Sequence, residues 1–127
     1  ALETGCGEVL ILGGIGGRLD HTLANICTLL FLEQHGVCAW LRSETAAVRV
    51  LLPGQYGFPA QKDVYVSLFP MNGDVHGLCL RGCRYPLEHA VLRAASTLGT
   101  SNEFAAQEGY VSFTSGSLIY MQCKKDR

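Results

Sequence analysis

The chain has no apolar run approaching the ~20 residues that a membrane-crossing helix needs. A charge excess is missing as well. Ten Lys and Arg against eleven Asp and Glu leave a formal net charge of −1, so no electrostatic face for nucleic acid or an anionic membrane is expected. No basic start followed by an apolar segment marks a secretory signal, and the expectation is a soluble, cytoplasmic protein. Two phosphate-loop signatures are absent: no Gly-Lys-Ser/Thr follows the glycines, and the G-x-G-x-x-G spacing is not met. Aspartate is scarce, with only Asp20, Asp63, Asp74 and Asp126. The start, Ala1-Leu2-Glu3-Thr4-Gly5, has no methionine and reads as a helix end closed by glycine. The chain is therefore expected to begin partway through a domain.

What is present supports a packed core: 127 residues, 48% hydrophobic and 17% charged. Six cysteines, at 6, 27, 38, 79, 83 and 123, are irregularly spaced and read as reduced, mostly buried thiols. His76, Cys79, Cys83 and His89 are the right ligand types for zinc, but they span an alternating strand and a turn rather than a knuckle.

The organising stretch is Gly13 to Asn25. Val9-Leu10-Ile11-Leu12 before it reads as a buried strand. Leu23, Ile26, Cys27, Leu30 and Phe31 after it recur at helical spacing, with Asp20 as the N-cap and the end near Gly36. Val37 to Arg42 reads as a second strand, parallel to the first, and Ala46 to Leu52 as a third. Beyond Pro53-Gly54 no segment of ten residues holds a helical period. Val64 to Phe69 before Pro70, Leu78 and Leu80 before Gly82, and more weakly Glu88 to Arg93 read as strands. Tyr110–Phe113 and Leu118–Cys123 flank Thr114-Ser115-Gly116-Ser117 as a hairpin. The expected architecture is α/β plus all-β: residues 1–53 as the C-terminal part of a Rossmann-like α/β domain, and 54–127 as a β-sandwich or barrel.

A strand feeding a glycine-rich turn into a helix start is suited to phosphate groups. Arg18 and Asp20 of an extended Arg18-Leu19-Asp20 project to one side. The guanidinium fits phosphate oxygens, whereas Asp20 needs a magnesium ion, a ligand hydroxyl or Arg18 beside it. Equally, Asp20 caps the helix and Arg18 only neutralises it. His21 stands in the first helical turn. Thr100-Ser101-Asn102 forms a small polar turn that either caps itself or meets a heterocyclic ligand. Tyr85 offers an aromatic face to a cationic ring, or is an ordinary strand aromatic.

Gly16-Gly17-Arg18-Leu19-Asp20-His21-Thr22-Leu23-Ala24-Asn25 resembles the G-G-R-x-D-H-x-x-x-N run of bacterial thiamine pyrophosphokinases. Ser67-Leu68-Phe69-Pro70, Gly77 to Gly82, Tyr85-Pro86-Leu87, Ser101-Asn102-Glu103-Phe104 and Val111-Ser112-Phe113 with Gly116 resemble that family's β-domain pattern, in order. The resemblance implies transfer of a pyrophosphoryl group from ATP to thiamine, giving thiamine diphosphate and AMP. It implies Arg18 and Asp20 as catalytic residues, with Gly16, Gly17, Arg18 and His21 on the ATP phosphates. Tyr85, Thr100, Ser101 and Asn102 would then meet thiamine. It further implies Mg2+, with Asp20 as a contact, and a homodimer with thiamine at the subunit interface. The family's further aspartates lie in an N-terminal region, so these 127 residues alone are expected to be inactive. The alternative is a non-catalytic thiamine-binding or dimerisation β module.

Overall fold

β1 (Gly7–Leu12) pairs in parallel with β2 (Val37–Arg42), Gly7 opposite Val37 through Leu12 opposite Arg42. A parallel pair needs a long crossover, and α1 (Leu19–Gln34) supplies it, packing on β2 and β3 (Ala46–Leu51). This part matches the strand–helix–strand expectation. The computed structural model describes residues 7–12 and 19–125, with side chains from residue 19 onward.

The remaining elements are strands: β4 (Gly54–Pro59), β5 (Val64–Arg81), β6 (Leu87–Leu92), β7 (Glu108–Phe113) and β8 (Ser115–Lys124). They form a mostly antiparallel sheet in the order β1-β2-β3-β8-β5-β7-β4, with β6 on the outer part of β5, curled into a half-barrel. β3 runs antiparallel to β8 along its whole length, Ala46 opposite Cys123 through Leu51 opposite Leu118. β3, which precedes residue 53, is thus joined edge to edge with β8, which follows it.

β3 and β8 alternate, and each face serves a different core. Val48, Val50, Ile119 and Met121 pack under α1 with Ile26, Leu29, Ala39 and Leu41. Leu51, Leu118 and Tyr120 face the half-barrel core of Phe58, Val66, Leu68, Leu78, Leu80, Val111 and Phe113. Tyr120 stacks on Phe58 with ring centroids 3.9 Å apart, and Trp40 meets both edge-on. Burial pushes the Tyr120 hydroxyl far above the usual tyrosine range, against the opposing effect of its hydrogen bond from Gln122.

Several expectations are corrected. Asp20 is not the N-cap. It is the second residue of α1, where a carboxylate suits the helix dipole, and its Oδ1 accepts the His21 N–H at 2.9 Å. The helix buries Ile26 and Leu29, while Leu23, Cys27 and Phe31 are exposed. α1 is apolar nearly all round, so periodicity alone could not choose its face. The strands expected on either side of Pro70 are one 18-residue strand, β5. Pro70 stays in register opposite Leu118, and the chain bends just beyond, where Asn72 and Gly73 have φ of 65° and 120° and the register shifts between Met71 and His76. A proline at such an irregularity removes no needed ladder bond.

The expected hairpin is also absent: β7 pairs with β4 and β5, and β8 with β3 and β5. The turn at Thr114 carries the chain from a strand between β5 and β4 to one between β3 and β5. β4 has no counterpart in the sequence reading, although Tyr56 and Phe58 alternate there. None of the five described cysteines is in a disulfide, but only Cys83 is buried and Cys27 is exposed.

Candidate functional site

Residues 99–105 are laced between the start of β5 and the segment 82–85. Val66 and Asn102 exchange backbone hydrogen bonds at 2.7 Å in both directions, and the Leu68 N–H reaches the Gly99 carbonyl at 2.8 Å. On the other side, the Arg84 N–H donates to the Glu103 carbonyl and the Ala105 N–H to the Gly82 carbonyl, each at 2.8 Å. Polar side chains complete what backbone ladders leave open.

Asn102 is 5% exposed, and both ends of its amide are hydrogen-bonded. Its Oδ1 accepts the N–H of Tyr85 at 3.0 Å and of Glu103 at 2.9 Å, while its Nδ2 donates to the Tyr85 carbonyl at 2.8 Å. The Asn102 amide thus grips the Tyr85 peptide, leaving the Tyr85 ring 60% exposed. Ser101 adopts a left-handed backbone (φ 61°), and its N–H is taken by the buried Ser67 hydroxyl at 2.9 Å. The side chains of Thr100 and Ser101 are exposed. Of the expected thiamine contacts, Tyr85, Thr100, Ser101 and Asn102 come together, with Asn102 turned inward as their anchor. Ser67 was missed. Its signal was a small polar residue in an alternating apolar strand.

Charge borders this loop. Glu103 is paired with Lys125 and, at 3.6 Å, with Arg84, whose guanidinium lies 5.6 Å from the Tyr85 ring centre. The hydrogen bond from Lys125, with the positive charges of Lys125 and Arg84, holds the Glu103 carboxyl below the usual glutamate value. A depressed folded-state value gives stability that is complete above the unfolded value and lost as pH falls through the folded one. Melting temperatures of the native protein and Glu103→Gln should therefore converge in acid, below the ordinary glutamate value of 4.5. A gap that stays constant down to full protonation would remove Glu103 from the acid response.

On the nucleotide side, Gly16, Gly17 and Arg18 lie outside the described residues. Asp20 and His21 stand exposed in the first turn of α1. The other end of α1 is tied to β3 by Arg49 Nε donating to Glu33 Oε2 at 3.0 Å. The zinc-type residues do not converge: among the described residues, no three His, Cys, Asp or Glu side chains form a metal group. Cys83 belongs to the half-barrel core, where burial raises its thiol, whereas Cys79 meets His89 on the outer face of the sheet.

Comparison with known proteins supplies the last observation. Residues 57–118 match the family model "Thiamin pyrophosphokinase, vitamin B1 binding domain". The chain is 33% identical over 123 residues to thiamine pyrophosphokinase of Bacillus subtilis (strain 168), covering 96% of this chain and 58% of that protein. The crystal structure of the Bacillus subtilis enzyme superposes with a TM-score of 0.90 at 33% identity, over 99% of this chain and 59% of that one. That of thiamin pyrophosphokinase from Geobacillus thermodenitrificans gives 0.84 at 30% identity, over 94% and 55%. The chain thus spans less than two thirds of the length of each of these relatives.

Proposed function

Since the chain belongs to the thiamine pyrophosphokinase family, we propose that the protein transfers a pyrophosphoryl group from ATP to thiamine, giving thiamine diphosphate and AMP. The observation that carries the reading is the Ser101-Asn102-Glu103 loop. Asn102 fixes the peptide of Tyr85, so an aromatic face and the hydroxyls of Thr100 and Ser101 are presented together. A thiazolium cation over the Tyr85 ring gains cation–π attraction, and the hydroxyls serve the polar edge of the pyrimidine.

The nucleotide phosphates are assigned to Gly16, Gly17, Arg18 and His21. The thiamine hydroxyl oxygen bonds to the β-phosphorus of ATP as the bond from that phosphorus to the α-phosphate oxygen breaks. AMP leaves, and Asp20 takes the hydroxyl proton. Magnesium bound by substrate phosphates asks for only one or two protein carboxylates, and Asp20 is one at the start of α1. Bound there, Mg2+ would neutralise phosphate charge. Among the described residues, no group of three His, Cys, Asp or Glu side chains that could hold a metal forms there.

The parallel β1–β2 pair with its α1 crossover supports a Rossmann-like half. The exposed Leu19, Leu23 and Phe31 on α1 support a further layer over that helix. A homodimer that brings Asp20 of one copy to Tyr85 of the other, working in the cytoplasm where free thiols persist, completes the proposal.

Thiamine affinity and turnover test it together. Tyr85→Ala is expected to weaken thiamine binding about 5- to 30-fold in calorimetry. Asp20→Asn should lower AMP formation about 10²- to 10⁴-fold with thiamine KM nearly unchanged. Thiamine binding without any AMP formation by the full-length protein would instead favour a non-catalytic module. If Asp20→Asn kept its turnover and lost only thermal stability, Asp20 would be a helix-end charge alone.

A further inference from the structure

The outer face of the half-barrel, away from its core, is an open concavity of about 910 Å³. Register builds its floor. Cys79 is opposite Ser112 and Ser112 opposite Gln55, while Arg81 is opposite Tyr110. On the other side, β5 and β6 slip: Leu78 pairs with Ala90, but Leu80 with Leu87. Cys79 therefore faces two residues, Glu88 and His89, across a β-bulge, an irregularity that re-aims side chains. His89 takes a left-handed backbone there, φ 45°, which is uncommon for a residue with a Cβ. The outcome is specific. The His89 N–H points to Cys79 Sγ at 3.5 Å, and its Nδ1 lies 3.9 Å from the same sulfur.

The charged groups of the concavity have partners on its own strands. Arg81 Nη2 is 3.3 Å from Glu88 Oε1. Glu108 accepts the Tyr110 hydroxyl at 2.6 Å, which raises that phenol. This leaves the thiol facing an imidazole and a backbone donor, in a space large enough for a small molecule. A thiol with a neighbouring base and an N–H donor resembles in kind the activated nucleophiles of thiol chemistry.

We propose that Cys79 and His89 form a thiol-exchange site that takes up half of a low-molecular-weight disulfide. The Cys79 thiol passes its proton to His89 Nδ1, and its sulfur forms an S–S bond to one sulfur of the incoming disulfide. The original S–S bond breaks, and the departing half leaves as a thiolate that collects the proton. The products are a mixed disulfide on Cys79 and one free small thiol, so the modification is reversed by excess thiol.

Exposure alone ranks the described thiols differently, because Cys27 on α1 is exposed and Cys79 only partly so. Incubation with oxidised glutathione, followed by peptide mass mapping over time, separates the two. Cys79 is expected to acquire the adduct at least about tenfold faster than Cys27. His89→Asn removes the imidazole while tolerating the left-handed backbone, and it should bring the two rates together. Cys79→Ser should abolish the fast phase. If Cys27 leads in the native protein, the proposal falls without recourse to any variant. It falls equally if folded His89→Asn, judged by its near-ultraviolet circular dichroism, keeps the Cys79 rate.

Discussion

Gly82→Ala is expected to destabilise the protein by about 4 kcal/mol or more, enough to lower its melting temperature by roughly 15 °C. Gly82 closes β5 with φ of 77°, a left-handed conformation that costs a residue with a Cβ about 1–2 kcal/mol. The larger effect is steric. A methyl group built there would sit 2.1 Å from the Glu108 carbonyl oxygen and 3.2 Å from the Gly109 Cα, both backbone atoms. Relief requires β7 to move away from the end of β5. That would pull on the Ala105–Gly82 hydrogen bond and on the loop behind Tyr85. Gly73→Ala is the control: its φ is 120°, but nothing lies within 4 Å of the added carbon. It should cost only about 1–2 kcal/mol of backbone strain. Thermal melts followed by circular dichroism decide the matter. Equal shifts for the two variants would show that strain, and not the approach to Glu108, sets the cost.

Asn102→Ala is the second large effect. It strands three backbone groups, the Tyr85 N–H, the Tyr85 carbonyl and the Glu103 N–H. Buried orphans of this kind cost about 1–3 kcal/mol each, less where water enters, so a total of about 2–4 kcal/mol is expected. Freed from its anchor, the Tyr85 ring should lose its fixed position and thiamine affinity should fall with stability. Asn102→Asp separates grip from size. It keeps an acceptor for both N–H groups but turns the Nδ2 donor into an oxygen facing the Tyr85 carbonyl. It should be no better than alanine at neutral pH. If the aspartate variant matched the native protein in both melting temperature and thiamine affinity, the Nδ2–Tyr85 bond would be incidental.

Much of this was written locally in the chain. Val9 to Leu12, the helical run after Leu19 and Val37 to Arg42 announce their elements, and parallel β1–β2 pairing follows from the intervening helix. Pairing between distant strands was not legible. Thr114-Ser115-Gly116-Ser117 is good turn chemistry, but a turn does not say whether its flanking strands meet. Here the strand edges on either side of it belong to β4, β5 and β3. β5 hides in the sequence because Pro70 and Gly73 look like breaks, while the backbone absorbs both in one bend. At the site, Tyr85, Ser101 and Asn102 could each be singled out by type. That the Asn102 amide holds the Tyr85 peptide is a contact across 17 residues, which neither periodicity nor composition carries. Cys79 and His89 meet for a similar reason, through a one-residue slip in register.

The place of β8 between β3 and β5 has a consequence for how the molecule is made. β3 is complete at Leu51, yet its long partner begins at Ser115. At ~5–20 residues per second, a ribosome takes several seconds to cover that distance. Through that interval the inner edge of β3, and that of β5 once it is made, stand open, with Val48, Val50, Val66 and Leu68 not yet covered by Leu118, Ile119 and Tyr120. The nascent chain is then a template for any extended strand that reaches it. Only the arrival of β8 closes both edges at once, because it pairs with β3 on one side and β5 on the other.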